Sequence, residues 1–147
     1  MVMANQVILP GEIKLRNFRI AIPGVTEITV IEFDDMAEKI RTAVMPDQTR
    51  RSSGAVDGGE SSFKVPAHHI TEIAALKAYY AQCRYALPGY KRDWIVTYYS
   101  SAGITSQGVI LVGAFLTEKM LPGGKLEDEG NQVVNHWGFS WDEMLDL

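Results

Sequence analysis

The stretch "DWIVTYYSSAGITSQGVILVGAFL" (Asp93–Leu116) decides the fold. In Asp93–Ser100, apolar residues recur at every second position, which places Trp94 and Val96 on one face of a β-strand. Val109–Leu116 is apolar at successive positions, so both faces of that strand are apolar. The segment between them consists of a few small and polar residues, which is typical of a connection between neighbouring strands. The stretch is therefore predicted to form an antiparallel hairpin.

Further strands follow from the same period of two. Glu27–Phe33 and Val133–Trp141 alternate between two faces, and Arg16–Gly24 contains a short strand that its proline and glycine end. Asp34–Met45 fits either a helix or a loop followed by a strand, and we predict the loop and strand. The chain is thus expected to end on β-structure.

One segment has the period of a helix, predicted over about 70–84. Thr71 is a candidate cap, Glu72 suits the positive end of the helix dipole, and Leu87–Tyr90 contains the proline and glycine that end the helix. Spacings of three and four define one apolar stripe. Its members are Ile73, Leu76, Tyr80 and Cys83.

The segment "SSGAVDGGESSFKVP" (Ser52–Pro66) has no helical period. Gly54, Gly58 and Gly59 favour turns because glycine adopts positive φ, and Ser61–Val65 alternates as a strand does. We predict a long extended hairpin arm at about 46–64, with the glycines at its tip.

Together these elements predict a mainly β fold with one flanking α-helix, a small antiparallel β-barrel or sandwich that carries the extended arm. The 147 residues, 46% hydrophobic and 22% charged, suit a single domain over 1–147.

Charge and cysteine content exclude several classes of protein. A net charge of −4 argues against a surface that grips nucleic acid. The sequence lacks a run of about 18 apolar residues, so no membrane span is predicted, and residues 1–18 lack the pattern of a secretory signal. The single cysteine, Cys83, forms no intrachain disulfide and cannot hold zinc by itself.

No catalytic, cofactor or metal residue is predicted. His68 and His69 are adjacent, which places their rings in different directions, and Cys83 falls on the apolar stripe, where a buried, inert thiol is expected. Gly123–Asn131 lacks the spacing of a phosphate or calcium loop. The adjacent carboxylates Asp34 and Asp35 do not indicate general acid–base catalysis unless they line a pocket.

Four segments follow one another over about Met45–Met144: an extended arm, a helix, a charged entry into a strand, and a long stretch that ends in a closing strand. They are "ESSFKVPAHH", "ITEIAALKAYYAQC", "LPGYKRDWIVTYYSSAG" and "GVILVGAFLTEKMLPGGKLEDEGNQVVNHWGFSWDEM". This order of segments resembles the tail tube proteins of tailed bacteriophages, which have an Hcp-like fold.

The resemblance implies a structural protein without enzymatic activity or cofactor, whose copies form six-membered rings that stack into a conduit for DNA ejection. Its expected partners are itself, the tail sheath, and baseplate or terminator proteins, with DNA passing through the lumen without specific binding and no membrane contact. The expected location is the virion tail, after synthesis in the host cytoplasm. The arm would lie against the next ring. The candidate interface residues are Arg50, Arg51, Ser53, Gly54, Val56, Gly58, Gly59 and Glu60.

Alternative functions remain open at this point. A tube protein of a bacterial secretion system, or a tube-like protein near the baseplate, would share the fold. A small enzyme or ligand-binding barrel would instead use His68, His69 or Cys83.

Overall fold

A computed structural model describes residues 13–30, 32–100, 106–121 and 133–147. The elements in chain order are β1 (Ile13–Ala21), β2 (Ile28–Thr29), β3 (Glu32–Phe33), β4 (Lys39–Val44), β5 (Arg50–Asp57), β6 (Gly59–Pro66), α1 (Ile70–Arg84), β7 (Arg92–Ser100), β8 (Ser106–Met120), β9 (Val134–Trp141) and β10 (Glu143–Asp146). The predicted loop and strand after Phe33 are confirmed, since β4 follows five residues without regular structure.

The strands of the main sheet are antiparallel and pair in the order β2-β1-β7-β8-β9-β6-β3, with β10 on β8 as well. Strand β8 is shared by two halves of this sheet. Its first part pairs with β7 and its last part, from Phe115, pairs with β9. Between them Gly113 takes a φ of 66° at an irregularity in the pairing. The path through the described strands is open and does not close into a barrel.

The two halves of the sheet fold over one another as a sandwich. Phe18 of β1 and Phe33 of β3 come from strands near opposite ends of the path, yet their ring centroids lie 4.2 Å apart. The rings of Trp94 and Phe139 stack with centroids 5.1 Å apart at the centre. Side chains of this kind dominate the energy of a core because each removes a large apolar area from water. The predicted sandwich is confirmed.

Helix α1 lies against β8 and covers one side of the sandwich. Its buried side chains are Ile73, Leu76 and Tyr79. The predicted stripe had Tyr80 and Cys83 as its further members, and both are only partly buried against the core. The helix begins after His69, which makes no side-chain capping hydrogen bond, so the prediction of a Thr71 cap was wrong.

Tyr79 ties the helix to the sheet through its hydroxyl group. The hydroxyl donates to the backbone oxygen of Tyr90 at 2.5 Å, and Trp94 Nε1 donates to it at 3.4 Å. Burial raises the pKa of this hydroxyl well above its usual range. The side chain therefore stays neutral and acts as a structural hydrogen-bonding group.

Arg92 holds the end of the helix beside the start of β7. Its guanidinium donates to the backbone oxygens of Pro23 at 2.5 Å and Gly89 at 2.9 Å, and to Gln82 Oε1 at 2.6 Å. The group also lies 4.4 Å from the centre of the Tyr79 ring. A planar group with several donors suits this role, because one side chain joins three segments.

Candidate assembly interface

Strands β4 and β5 form a two-stranded sheet of their own, which we call the exposed hairpin (39–57). Among the described elements, the two strands contact each other far more than they contact the rest of the chain. All residues of both strands are exposed except Val56, which is half-buried. The predicted extended hairpin is thus present, and it projects from the sandwich.

The turn of the exposed hairpin is at Met45–Thr49, not at the glycines. The Thr49 backbone N–H donates to Asp47 Oδ1 at 3.0 Å, and its hydroxyl donates to the same oxygen at 2.6 Å. These two hydrogen bonds lower the pKa of the Asp47 carboxyl. Gln48 completes the turn with a φ of 67°.

This position corrects the prediction that the arm spans about 46–64 with its tip at Gly54, Gly58 and Gly59. The hairpin begins earlier, at Lys39, and ends at Asp57. The segment from Gly59 to Pro66 is β6, which pairs with β9 and buries Phe63 and Val65 in the sandwich. It is part of the body, by which we mean the sandwich with its helix.

Gly54 lies within the hairpin at a bulge. Ile40 pairs with Val56 and Thr42 with Ser52, so three residues of β5 lie opposite Arg41 alone. Gly54 takes a φ of 79° there, a conformation that glycine adopts without strain. The Ser53 hydroxyl donates to the Arg41 backbone oxygen at 2.7 Å and holds the bulge in place.

The pairing of β4 with β5 gives the exposed hairpin two different faces. Directly opposed residues of an antiparallel pair lie on the same face, and alternate residues of one strand do so too. One face therefore carries Ile40, Val44 and Val56, with Arg50 opposite Val44 near the turn. Ile40 is 62% exposed and Val44 is 65% exposed. The hairpin is amphipathic, and its apolar face is uncovered.

Charges are paired at the base of the exposed hairpin and unpaired near its turn. Arg41 donates to Asp57 Oδ1 from Nε at 3.0 Å and from Nη2 at 2.6 Å. Arg50 and Arg51, next to the turn, are exposed and make no ion pair with any described residue. The hairpin holds four basic and two acidic residues, although the chain has a net charge of −4. The hairpin thus carries a net positive charge within an acidic protein.

Gly58 and Gly59 form the root of the exposed hairpin, where it leaves the body. A Cβ atom at Gly58 would overlap the backbone oxygen of Trp141, and one at Gly59 would lie 2.7 Å from the Trp141 ring. On the other limb, the Met144 backbone N–H donates to the Glu38 carboxylate. Both limbs of the hairpin are therefore fixed to the same segment of the body.

The predicted interface residues thus fall into two groups. Five lie in the exposed hairpin itself, and three lie at its root or in β6. The first group is Arg50, Arg51, Ser53, Gly54 and Val56, and the second is Gly58, Gly59 and Glu60. The local sequence did not indicate that Ile40 and Val44 belong to the candidate interface. The structure adds both residues to the first group.

The other candidate residues do not come together into a reactive site. His68 and His69 have ring centroids 4.6 Å apart, and His69 Nδ1 lies 3.2 Å from Glu72 Oε2. Burial raises the pKa of the Cys83 thiol, which disfavours the reactive thiolate. In the part of the chain that the structure describes, no three His, Cys, Asp or Glu residues are grouped to hold a metal ion. The loop Gly123–Asn131 lies outside the described residues.

Within the described residues, no helix is both long enough and apolar enough to cross a membrane.

The sequence matches no protein-family description and no curated protein. Solved structures match its fold. A chain of the anti-feeding prophage cap, the tube terminating cap, superposes with a TM-score of 0.66 at 12% identity, covering 100% of this chain and 99% of that one. A chain of the PVC sheath–tube complex, from an extracellular contractile injection system in its extended state, gives 0.64 at 12% identity and covers 100% and 99%. Hcp1 from Flavobacterium johnsoniae gives 0.53 at 12% identity and covers 88% and 98%.

This chain therefore has an Hcp-like tube fold, as the resemblance in its sequence implied. Its structural neighbours come from the tubes, sheath–tube assemblies and tube caps of injection systems, and they match it along nearly its full length. At 12% identity, these superpositions show a shared fold and nothing further.

Proposed function

We propose that the chain is a structural, non-catalytic subunit of a tail-like tube, in which identical copies form six-membered rings that stack into a hollow conduit. The observation that carries this proposal is the uncovered apolar face of the exposed hairpin, beside a body that has a buried core of its own. Exposed apolar surface of this kind marks a surface that binds another molecule.

The exposed hairpin also has unsatisfied strand edges. In the described residues, β4 and β5 pair only with each other, so each has one edge without a strand partner. An isolated two-stranded hairpin is marginally stable in water, and open edges favour pairing with another chain. A neighbouring subunit would supply both the missing cover and the missing stability, which makes the hairpin suited to assembly.

We assign different roles to the two groups of predicted interface residues. Arg50, Arg51 and Val56 would contact the neighbouring ring, and the bulge at Ser53 and Gly54 would shape the strand that carries them. The root residues Gly58, Gly59 and Glu60 would orient the hairpin on the body.

The expected partners are further copies of the chain, a sheath, and baseplate or terminator proteins. This is supported by solved neighbours that come from a sheath–tube complex and a tube cap. The tube would belong to a phage tail, made in the host cytoplasm, with DNA passing through the lumen unbound. An acidic chain suits such a wall, because negative charge repels phosphate.

A second candidate is a tube or cap subunit of a contractile injection system that carries no DNA. It is favoured by the full-length match to the anti-feeding prophage cap and the PVC complex. The two candidates differ in particle content. Nuclease-protected DNA in purified particles that contain this chain would support the phage tail, and its absence would support the injection system.

The test of the proposed function is self-assembly of the purified full chain. We expect electron micrographs to show rings at moderate concentration and tubes at high concentration, with sedimentation velocity shifting from subunits to large species. A protein that remains monomeric over the whole accessible concentration range would contradict the proposal.

A further inference from the structure

A groove with a volume of about 620 Å³ opens on the body, beside the segment that leads from β3 towards the exposed hairpin. Its apolar lining includes the buried Phe18 and five side chains that are only partly buried and that pack against the core. The five are Phe33, Met36, Tyr98, Val109 and Met144. They come from β3, β7, β8, β10 and the segment after β3. Apolar side chains left half-open in one concave place suit an apolar occupant.

The rim of the groove is acidic, so we call it the acidic groove. Asp34 and Asp35 both line it and both are exposed. Asp34 is fixed in place, since the Ser62 hydroxyl donates to its carboxylate at 2.5 Å. Asp35 makes no hydrogen bond or ion pair with any described residue. Burial, and then the charge of Asp35, raise the pKa of Tyr98, which lines the groove with it.

The exposed hairpin has the complementary surface. Its apolar face presents Ile40 and Val44, and Arg50 lies on that same face near the turn. Arg51 lies beside Arg50 on the opposite face, and both guanidiniums lack an ion-pair partner among the described residues. An apolar surface with adjacent positive charge matches an apolar groove with adjacent negative charge in both respects.

We propose that the acidic groove receives the exposed hairpin of a second copy of this chain. The apolar face of the hairpin covers the apolar lining, and Arg50 and Arg51 lie beside Asp34 and Asp35. This proposal rests on the proposed function, because it names the surface through which tube subunits contact one another.

The contact joins two different surfaces of the same chain, so each copy gives one hairpin and receives another. A contact of this kind is heterologous, and when it does not close on itself it generates an open stack. The groove also lies at the root of its own chain's hairpin, since Met144 lines the groove and its backbone N–H donates to Glu38. Occupation of the groove would therefore help to position the hairpin that reaches the next copy.

Charge reversal and rescue test this contact. We expect Asp35→Arg to raise the concentration needed for tube formation by about tenfold or more, and Arg50→Glu with Arg51→Glu to do the same, because like charges would then meet. Combining the three changes in one chain places a positive charge at position 35 opposite negative charges at positions 50 and 51, while Asp34 keeps its negative charge. We expect this triple variant to form tubes at a lower concentration than either the single or the double variant, because one contact between opposite charges is restored.

Glu118→Arg serves as a matched control. Glu118 is an exposed acid on β8 that does not line the groove and makes no ion pair with a described residue. Its reversal makes the same change in charge as Asp35→Arg. Any effect of Glu118→Arg on assembly should not be rescued by the reversed arginines, since the proposed contact does not include it.

A crosslink provides a second measurement that does not depend on charge. In a Cys83→Ala background, Asp35→Cys with Arg50→Cys, on the apolar face of the hairpin, should yield a ladder of disulfide-linked oligomers on a non-reducing gel after mild oxidation of assembled protein. Normal tube formation by Asp35→Arg, together with the absence of a ladder from the two-cysteine variant, would overturn the groove contact. The proposed function would remain intact. A parent that never self-associates would overturn both.

Discussion

The exposed hairpin and the sandwich body are built from the same element, the antiparallel strand, and they differ in what covers its faces. In β6, Phe63 and Val65 point into a core made by the chain itself and are fully buried. In β4, Ile40 and Val44 alternate in the same way and are more than half exposed. The pattern is the same, and the missing partner of the hairpin is outside the chain.

This difference separates folding from assembly within one sequence. The body should determine whether the chain folds, because nearly all the buried apolar area is there. The hairpin should determine whether folded chains stack, because it contributes little to the core. Substitutions in the two regions should therefore change different measurements.

The largest expected effect is loss of folding from a charge in the body. Leu76 is 0% exposed on the buried face of α1, and Leu76→Asp should cost about 4 kcal/mol, enough to leave little folded protein. Soluble yield and thermal unfolding measure this. Ala74→Asp is the matched control, because Ala74 is exposed on the same helix, and it should melt near the parent. Equal melting of both variants would show that the helix does not pack as described.

A second comparison uses one glycine at the root of the exposed hairpin and one at the bulge within it. Gly58→Ala should destabilise the chain by about 3 kcal/mol, because the new Cβ overlaps the Trp141 backbone oxygen, which cannot move aside cheaply. Gly54→Ala should cost about 1 kcal/mol, since its positive φ is strained for alanine but nothing lies within 4 Å. Urea unfolding would measure both. If Gly54→Ala lowered the free energy of unfolding more than Gly58→Ala, the root of the hairpin would have to lie elsewhere.

The smallest effect should come from the residues that most resemble a chemical site. The double variant Cys83→Ala with His68→Ala should lose about 1 kcal/mol of stability or less and should assemble like the parent, because neither residue contacts the exposed hairpin or lines the acidic groove. Micrographs and metal analysis test this. Stoichiometric zinc or iron in the parent, lost in the double variant, would reveal a site that our account does not include.

Elements with a clear local period were predictable from sequence. The alternation in Asp93–Leu116 predicted β7 and β8, and the three-and-four spacing from Ile73 predicted α1. The turn of the hairpin was missed although a signal exists, because Pro46 followed by Asp47 is a common turn pair. The prediction instead placed the turn at the three glycines Gly54, Gly58 and Gly59, which were the stronger turn signal.

Contacts between distant residues explain what sequence could not supply. Gly58 and Gly59 are needed because Trp141, far along the chain, packs against them. Likewise, the acidic groove is assembled from Phe33, Tyr98 and Met144, which no local pattern connects. The hairpin half of the candidate site was therefore predictable in outline, and the groove half required the three-dimensional fold.

The central claim is that the exposed hairpin serves stacking and not folding, and a shortened hairpin tests it most directly. Removing 43–51 and joining Thr42 to Ser52 through an Asn-Gly turn deletes the outer half, and Thr42 and Ser52 are already paired. The root at Gly58 and the core remain intact.

The decisive measurement is the thermal unfolding and the electron micrographs of this variant beside those of the parent. We expect the same melting temperature within a few degrees, because no core side chain is lost. We also expect tubes to be absent, because a contact repeated around each ring is lost at every subunit. Normal tubes from the shortened chain, or a variant that no longer folds, would contradict the account.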